Sequence, residues 1–460
     1  MIERIAGLRR VVNPPTKHAG NPIIRHDQTP WQTFRAQVYG TAMYDADAKR
    51  FKIWYLAGVR LPFDEPVRIN GRLCCPNFQC VGYATSRDGL KFELPDLGLV
   101  DFNGSTRNNL CRIARECAEG IAVLRDPHDP NPRRRYKALY WEHFVPYRDS
   151  PGVNVNGMSV SFSADGTTWT NCESNPVIAQ GSDTGQQILW DPHLNKYVVY
   201  GRFGAGGRRV ARSESADFVN WSASKLVFQA DAADGPGTQI YGMGIGLYEG
   251  VYLGLPWIFR EGTTHKIDVQ LATSRDGVQW TRVADRHTFI PNGPAGRWDA
   301  GILFTACPGP VVVGDTIYIY YSASRHDHDY RQRPAEGSPT WDDYWDSVKT
   351  SIGVATLRRD GFVSLDAGDQ PGEVVTRSFT WPARGSLHIN ADARRGEVYA
   401  RVLDASQRPL PGFERSDIVT GDHLDRAVTW PAAQRDSLAG RTVRLQFLLR
   451  RAKCYSYWLT

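Results

Sequence analysis

A short turn written several times over constrains this chain more than any other feature. Ser274-Arg275-Asp276-Gly277-Val278-Gln279-Trp280 and Ser163-Ala164-Asp165-Gly166-Thr167-Thr168-Trp169 share the pattern S-x-D-G-x-x-W. The stretch from Ser86 to Phe92 keeps it with Phe for Trp, and that from Ser215 to Trp221 keeps it without the Gly. Arg359-Asp360-Gly361-Phe362 is a degenerate fifth copy. In each, Asp can cap its own backbone, Gly supplies a positive φ, and the aromatic residue opens the next strand. Copies spaced roughly 50–85 residues apart mark a repeated supersecondary unit.

The remaining strand patterns fall into step with that turn. Upstream of the copies lie the aromatic, β-branched runs Phe51 to Tyr55, Tyr136 to Trp141, Tyr197 to Tyr200, Val251 to Leu253 and Thr316 to Tyr321. Each is preceded by a turn and, before that, by another apolar strand. Strand, turn, strand, strand, repeated turn, strand, five times over, reads as a five-bladed β-propeller of four-stranded blades. The turn itself resembles the Asp-box of sialidase-type and other β-propellers, a structural turn that carries fold and not activity.

The expected propeller spans residues 1–366. Residues 1 to about 32 read as an irregular lead-in, and Lys17 to Ile24 either begin the first blade or close the ring against the last. Long insertions between second and third strands, Leu61 to Pro76 and His326 to Trp345, would wall a pocket on one face. After about Gly368 the rhythm stops, and shorter strand runs read as a β-sandwich accessory domain over residues 367–460.

Composition narrows the class further. A formal net charge of +6 is spread along the chain instead of gathered in runs, which argues against a nucleic-acid partner. No stretch is long and apolar enough to span a membrane. Met1 to Gly7 lack the apolar centre of a secretion signal, so a cytoplasmic location is expected, or a secreted one if a leader has been trimmed. The eight cysteines show no zinc-ligand spacing. They read as buried thiols, with a disulfide among the early ones as the alternative. No metal or other cofactor is expected, and oligomeric state is left open.

Topology says where chemistry should lie. Innermost strands begin on the face where second strands end, so groups at those positions converge on a central pocket. Inner-strand starts offer Arg35, Gln37, Glu119, Asp183, Gln239, Tyr241 and Asp299. Gln37 and Asp183 each stand eight residues before a turn aspartate (Asp45, Asp191), and Glu119 stands seven before Asp126. Second-strand ends offer Arg60, Glu142, His143, Arg202, Arg260, Glu261 and Arg325. Trp141, Tyr241, Trp257 and Trp298 are candidates to stack on sugar faces.

A propeller followed by a sandwich resembles the superfamily of glycoside hydrolase families 32 and 43. The resemblance covers nearly the whole chain in architecture. It implies carboxylates on successive inner strands serving as nucleophile or base, transition-state stabiliser and general acid. Glu119 and Asp183 match by position. The blade-one motif N-D-P-N-G has its nearest counterpart in Gly20-Asn21-Pro22, which lacks the Asp. Arg125-Asp126-Pro127 is similar to the R-D-P motif, but Asp126 is in register with Asp45 and Asp191, where Asp shapes a hairpin.

The expected function is therefore glycosidic-bond hydrolysis on an oligo- or polysaccharide. One carboxyl must stay protonated to assist the leaving group while another, ionised, activates water or attacks carbon. Glu119 with Asp183, helped by Asp299, would supply the pair, with Glu142 and Glu261 next in line. A non-catalytic carbohydrate-binding propeller and a sialidase-like enzyme on acidic sugars are the alternatives. The arginines at second-strand ends either take an acidic substituent or neutralise the inner carboxylates.

Overall fold

A computed structural model describes residues 2–60, 66–75, 77–115, 117–142, 156–204, 207–328, 349–430 and 435–460. Its larger compact unit holds Thr16–Val313 and Ile317–Thr356. Antiparallel meanders recur through it. The first runs Arg35–Asp45, Arg50–Arg60, Asn77–Ser86 and Leu110–Cys111. The second is Glu119–Arg125, Tyr136–Glu142, Gly157–Ser163 and Thr170–Asn171, and the third Gln187–Asp191, Lys196–Gly201, Val210–Ser215 and Lys225–Phe228.

An eleven-stranded sheet contains two further meanders. One is Thr238–Tyr248, Val251–Arg260, Ala272–Ser274 and Trp280–Arg282; the other is Ile302–Thr305, Thr316–Ser324, Ser351–Arg358 and Thr16–Lys17. A parallel bridge between Ile267 and Ile302 joins them. The innermost strands touch in a circuit: Arg35–Asp45 meets Glu119–Arg125, which meets Gln187–Asp191, then Thr238–Tyr248, then Ile302–Thr305, which returns to Arg35–Asp45. The unit is a β-propeller. Lys17 pairs with Ala355, so an early segment supplies the outer strand of the last meander.

Four of the repeated turns share one hydrogen-bond pattern. The Ser hydroxyls of Ser86, Ser163, Ser215 and Ser274 accept the amide three residues on, at 2.8–2.9 Å. The Asp carboxylates accept the next two amides but one, as Asp88 does from Leu90 and Lys91 at 2.8 Å. Gly89, Gly166 and Gly277 take φ of 75°, 87° and 71°, and Phe218 takes 70° at the same place. The fifth copy departs from this. There Asp360, not Gly361, has the positive φ (60°), and its carboxylate accepts from Ser456 at 2.5 Å within the second compact unit.

Aspartates at the first turn of the first three meanders each tie one meander to the next. Asp45 accepts Tyr136 Oη at 2.7 Å, Asp126 accepts Tyr197 Oη at 2.5 Å, and Asp191 accepts the Tyr252 hydroxyl. Fully buried Lys137 sits 3.0 Å from Asp126 and 2.7 Å from Asp129. Burial alone would raise the Asp126 carboxyl, but hydrogen bonds from Tyr197 and Lys137 outweigh it and hold the group below the usual carboxylate range.

The second unit comprises Met1–Pro15, Gly314–Thr316 and Leu357–Thr460. It is built on a nine-stranded sheet. The long strand Leu387–Leu403 pairs with Val419–Val428, Thr442–Arg450 and Lys453–Leu459, over a core including Trp381, Ile389, Leu445 and Phe447. The chain start is not an irregular lead-in. Ile2–Ala6 pairs with Gly372–Thr376 and Leu8–Val12 with Val363–Ala367, because Ile5 and Leu8 pack on that core. The units accordingly divide after Thr356, where the repeat rhythm placed the boundary at residue 366. A second difference lies in the first meander: its fourth strand is Leu110–Cys111, and the stretch after Phe92 makes only a bridge from Thr85 to Glu93. All eight cysteines are free thiols.

Candidate functional site

The loop Ser182–Thr184, ahead of the third inner strand, is pinned from beneath. Buried Gln186 donates through Nε2 to the Ser182 and Thr184 carbonyls at 2.8 and 2.6 Å, and Thr184 Oγ1 donates to the Tyr241 carbonyl at 3.2 Å. This holds Asp183 at the surface, its side chain 66% exposed, with Oδ2 3.7 Å from Arg202 Nη1. The neighbouring inner strand comes in close. Gly120 has φ of 60°, and a Cβ there would lie 2.2 Å from the Thr184 carbonyl oxygen. Only glycine fits such an approach; half-buried Glu119 is the residue just before it, at the register shift of that strand.

Arg202 is the centre of this corner. Its Nε and Nη2 donate to the Tyr241 carbonyl at 3.1 and 2.6 Å, and its guanidinium lies 4.4 Å from the Tyr241 ring centroid. Arg208 lies 5.2 Å from the same ring and 5.0 Å from Phe259. Arg208 donates to Gln239 Oε1 at 2.8 Å and stands 3.5 Å from Glu261, to which Gln239 also donates. The Tyr241 hydroxyl meets His328 Nε2 at 3.0 Å. Below, Tyr39 stacks on Trp257 at 5.8 Å, its hydroxyl pushed far up by burial and then by Tyr241. Asp183, Arg202, Gln239, Tyr241 and Glu261 thus form one connected cluster, and the strand that carries Glu119 approaches the Asp183 loop through Gly120.

The other sequence candidates have separate surroundings. Glu142 is buried, accepting Ser159 Oγ at 3.3 Å with Arg115 at 3.7 Å. Asp299 is 2.6 Å from Lys17 Nζ, so its charge is matched by the ring-closing strand. Arg260 pairs with Asp268 at 2.9 Å, and burial raises the Asp268 carboxyl despite that partner. Arg35 lies 5.1 Å from the Phe34 ring and donates to Gln79 at 3.3 Å; Gln37 is buried beside it. Trp298 stacks on Tyr321 at 5.6 Å, and Arg325 is exposed. His143 and most of the insertion from His326 to Trp345 lie outside the described residues.

No protein family and no curated protein matches the sequence. Solved structures do match. The β-1,2-mannobiose phosphorylase from Listeria innocua, in complex with β-1,2-mannobiose, aligns over 75% of this chain and 96% of its own, at 12% identity and a TM-score of 0.50. A glycosyl hydrolase from Bacteroides ovatus aligns over 75% and 94%, at 15% identity and a TM-score of 0.46. A family 43 arabinoxylan arabinofuranohydrolase from Bacillus subtilis aligns over 97% and 99%, at 10% identity and a TM-score of 0.44. The Listeria likeness concerns the fold: this chain is similar in architecture to a propeller enzyme that handles a disaccharide.

Sequence reasoning did not single out Arg208, His328 or Tyr39. Arg208 precedes the third strand of its meander, on the face already marked as the pocket side, so the topological rule applied to third-strand starts would have found it. His328 falls in the His- and Asp-rich insertion.

Proposed function

We propose that the propeller cleaves a glycosidic bond of an oligo- or polysaccharide, with Asp183 and Glu119 as the working carboxylates. The observation that carries the reading is Asp183, an exposed carboxylate on a pinned loop, beside an arginine that is itself locked against Tyr241. Its exposure and position suit Asp183 to activate the attacking nucleophile or to attack carbon. Glu119 then serves as the proton donor to the leaving oxygen. Arg202 and the Tyr241 ring orient the sugar, and Gln239, Arg208 and Glu261 extend the polar wall. The Listeria relative's substrate is consistent with this use of the fold, although fold alone does not assign it.

The test is a screen of aryl glycosides and polysaccharides, run with and without inorganic phosphate. Release of a reducing sugar without phosphate, or of a glycosyl phosphate with it, supports the reading. Saturable binding of sugars with no turnover in either arm would leave a carbohydrate-binding propeller instead.

A further inference from the structure

On the last meander, apart from the Asp183 cluster, a cavity of about 380 Å³ is lined by His26, Trp298, Arg325, His326, Lys349 and Ser351. Its cationic and imidazole groups come from three separate stretches of chain, and among the described residues no Asp or Glu lines it. Arg325 has no carboxylate partner among the described residues and is exposed, unlike Arg202 and Arg260, each of which has one. On one side stands half-buried Trp298, whose plane is set by stacking on Tyr321 with an interplanar angle of 22°. His26 is fixed by its amide and Nδ1, both near Ser351 Oγ at 3.2 and 3.1 Å.

A flat indole beside a guanidinium and an ammonium is a combination with a definite ligand chemistry. The indole face takes the C–H face of a pyranose ring. Arginine's planar fork takes two oxygens of one carboxylate, and lysine adds a point charge. We propose that this cavity is a subsite for a sugar bearing a carboxylate, a uronic acid, in the polymer that the propeller acts on. This rests on the reading of the propeller as a glycosidic-bond-cleaving enzyme for its role in turnover, but not for the binding itself. Of the arginines at second-strand ends, Arg325 is the one that selects for acid.

Calorimetric titration of the full chain with matched pairs tests it: glucuronic acid against glucose, and galacturonic acid against galactose. At least one acid binds about tenfold or more tightly than its neutral partner, and that preference weakens as added salt shortens the screening length. Arg325→Gln brings the acid-to-neutral ratio to about one, and Trp298→Ala weakens acid and neutral sugar alike. An unchanged melting temperature shows that both variants are folded. No measurable binding of either acid, a ratio of one in both pairs, or a ratio that survives Arg325→Gln overturns the proposal. So does equal affinity for inorganic phosphate, which would make the cavity a general anion site. Asp183→Asn keeps the acid preference, so binding without turnover sinks the enzymatic reading alone. Turnover indifferent to uronic acid and to Arg325 sinks the subsite alone.

Discussion

Asp126 accepts the Tyr197 hydroxyl at 2.5 Å and stands 3.0 Å from the buried ammonium of Lys137. The same contact recurs between Asp45 and Tyr136. These aspartates tie the first meanders to their neighbours, so Asp126 of Arg125-Asp126-Pro127 occupies the same hairpin setting as Asp45. Asp126→Ala leaves buried Lys137 with Asp129 and the Arg134 carbonyl, at 2.7 and 2.9 Å. With the ammonium still paired, the loss is that of two buried hydrogen bonds, from Tyr197 and Lys137, about 1–3 kcal/mol. Denaturant unfolding should show that loss, and a change below about 1 kcal/mol would mean that the clasp is not stabilising.

The same aspartates set the response to acid. Asp45, Asp126 and Asp129 all have carboxyls held below their ordinary values, because tyrosine, lysine and backbone donors outweigh the burial that would raise them. A depressed folded value means that the unfolded chain binds protons first. Their stabilisation is complete above the unfolded value of about 4 and is lost as pH falls through the folded ones. Melting temperature should therefore fall steeply below about pH 4. Asp126→Asn should flatten that fall, and a curve as steep as the parent's would remove Asp126 from the explanation.

Phe218 tests whether turn strain or packing governs the repeated turns. It holds φ of 70° where three other copies have Gly, and a non-glycine residue there is strained by about 1–2 kcal/mol. Its ring is fully buried, 5.2 Å from Tyr197 and 5.5 Å from Trp221, and losing such a ring costs about 3–5 kcal/mol. Packing wins. Phe218→Gly should lower stability by about 2–3 kcal/mol by chemical denaturation; a stabilised variant would show that strain dominates.

The propeller was legible because its signals are local: a Ser–Asp turn that hydrogen-bonds to itself, and strands of alternating aromatic and β-branched residues. The N-terminus was not. Ile2–Ala6 and Leu8–Val12 find their partners more than three hundred residues away, and nothing in a short polar-apolar alternation names a distant partner. The site was legible in part. Rules of topology brought out Asp183, Arg202, Gln239, Tyr241 and Glu261, which do share contacts. They also brought out Asp299 and Arg260, whose charges are met by Lys17 and Asp268. Which of two opposite charges a side chain meets depends on tertiary packing, which inner-strand position alone does not encode.

The central claim is that Asp183 and Glu119 do the chemistry. Its most direct measurement is the turnover of Asp183→Asn and Glu119→Gln on whichever glycoside the parent cleaves, with melting temperature as the folding control. Each amide variant should lose turnover at least about a hundredfold with an unchanged melting temperature. Full turnover by both variants would contradict the claim and turn attention to Glu261, Glu142 and Asp299.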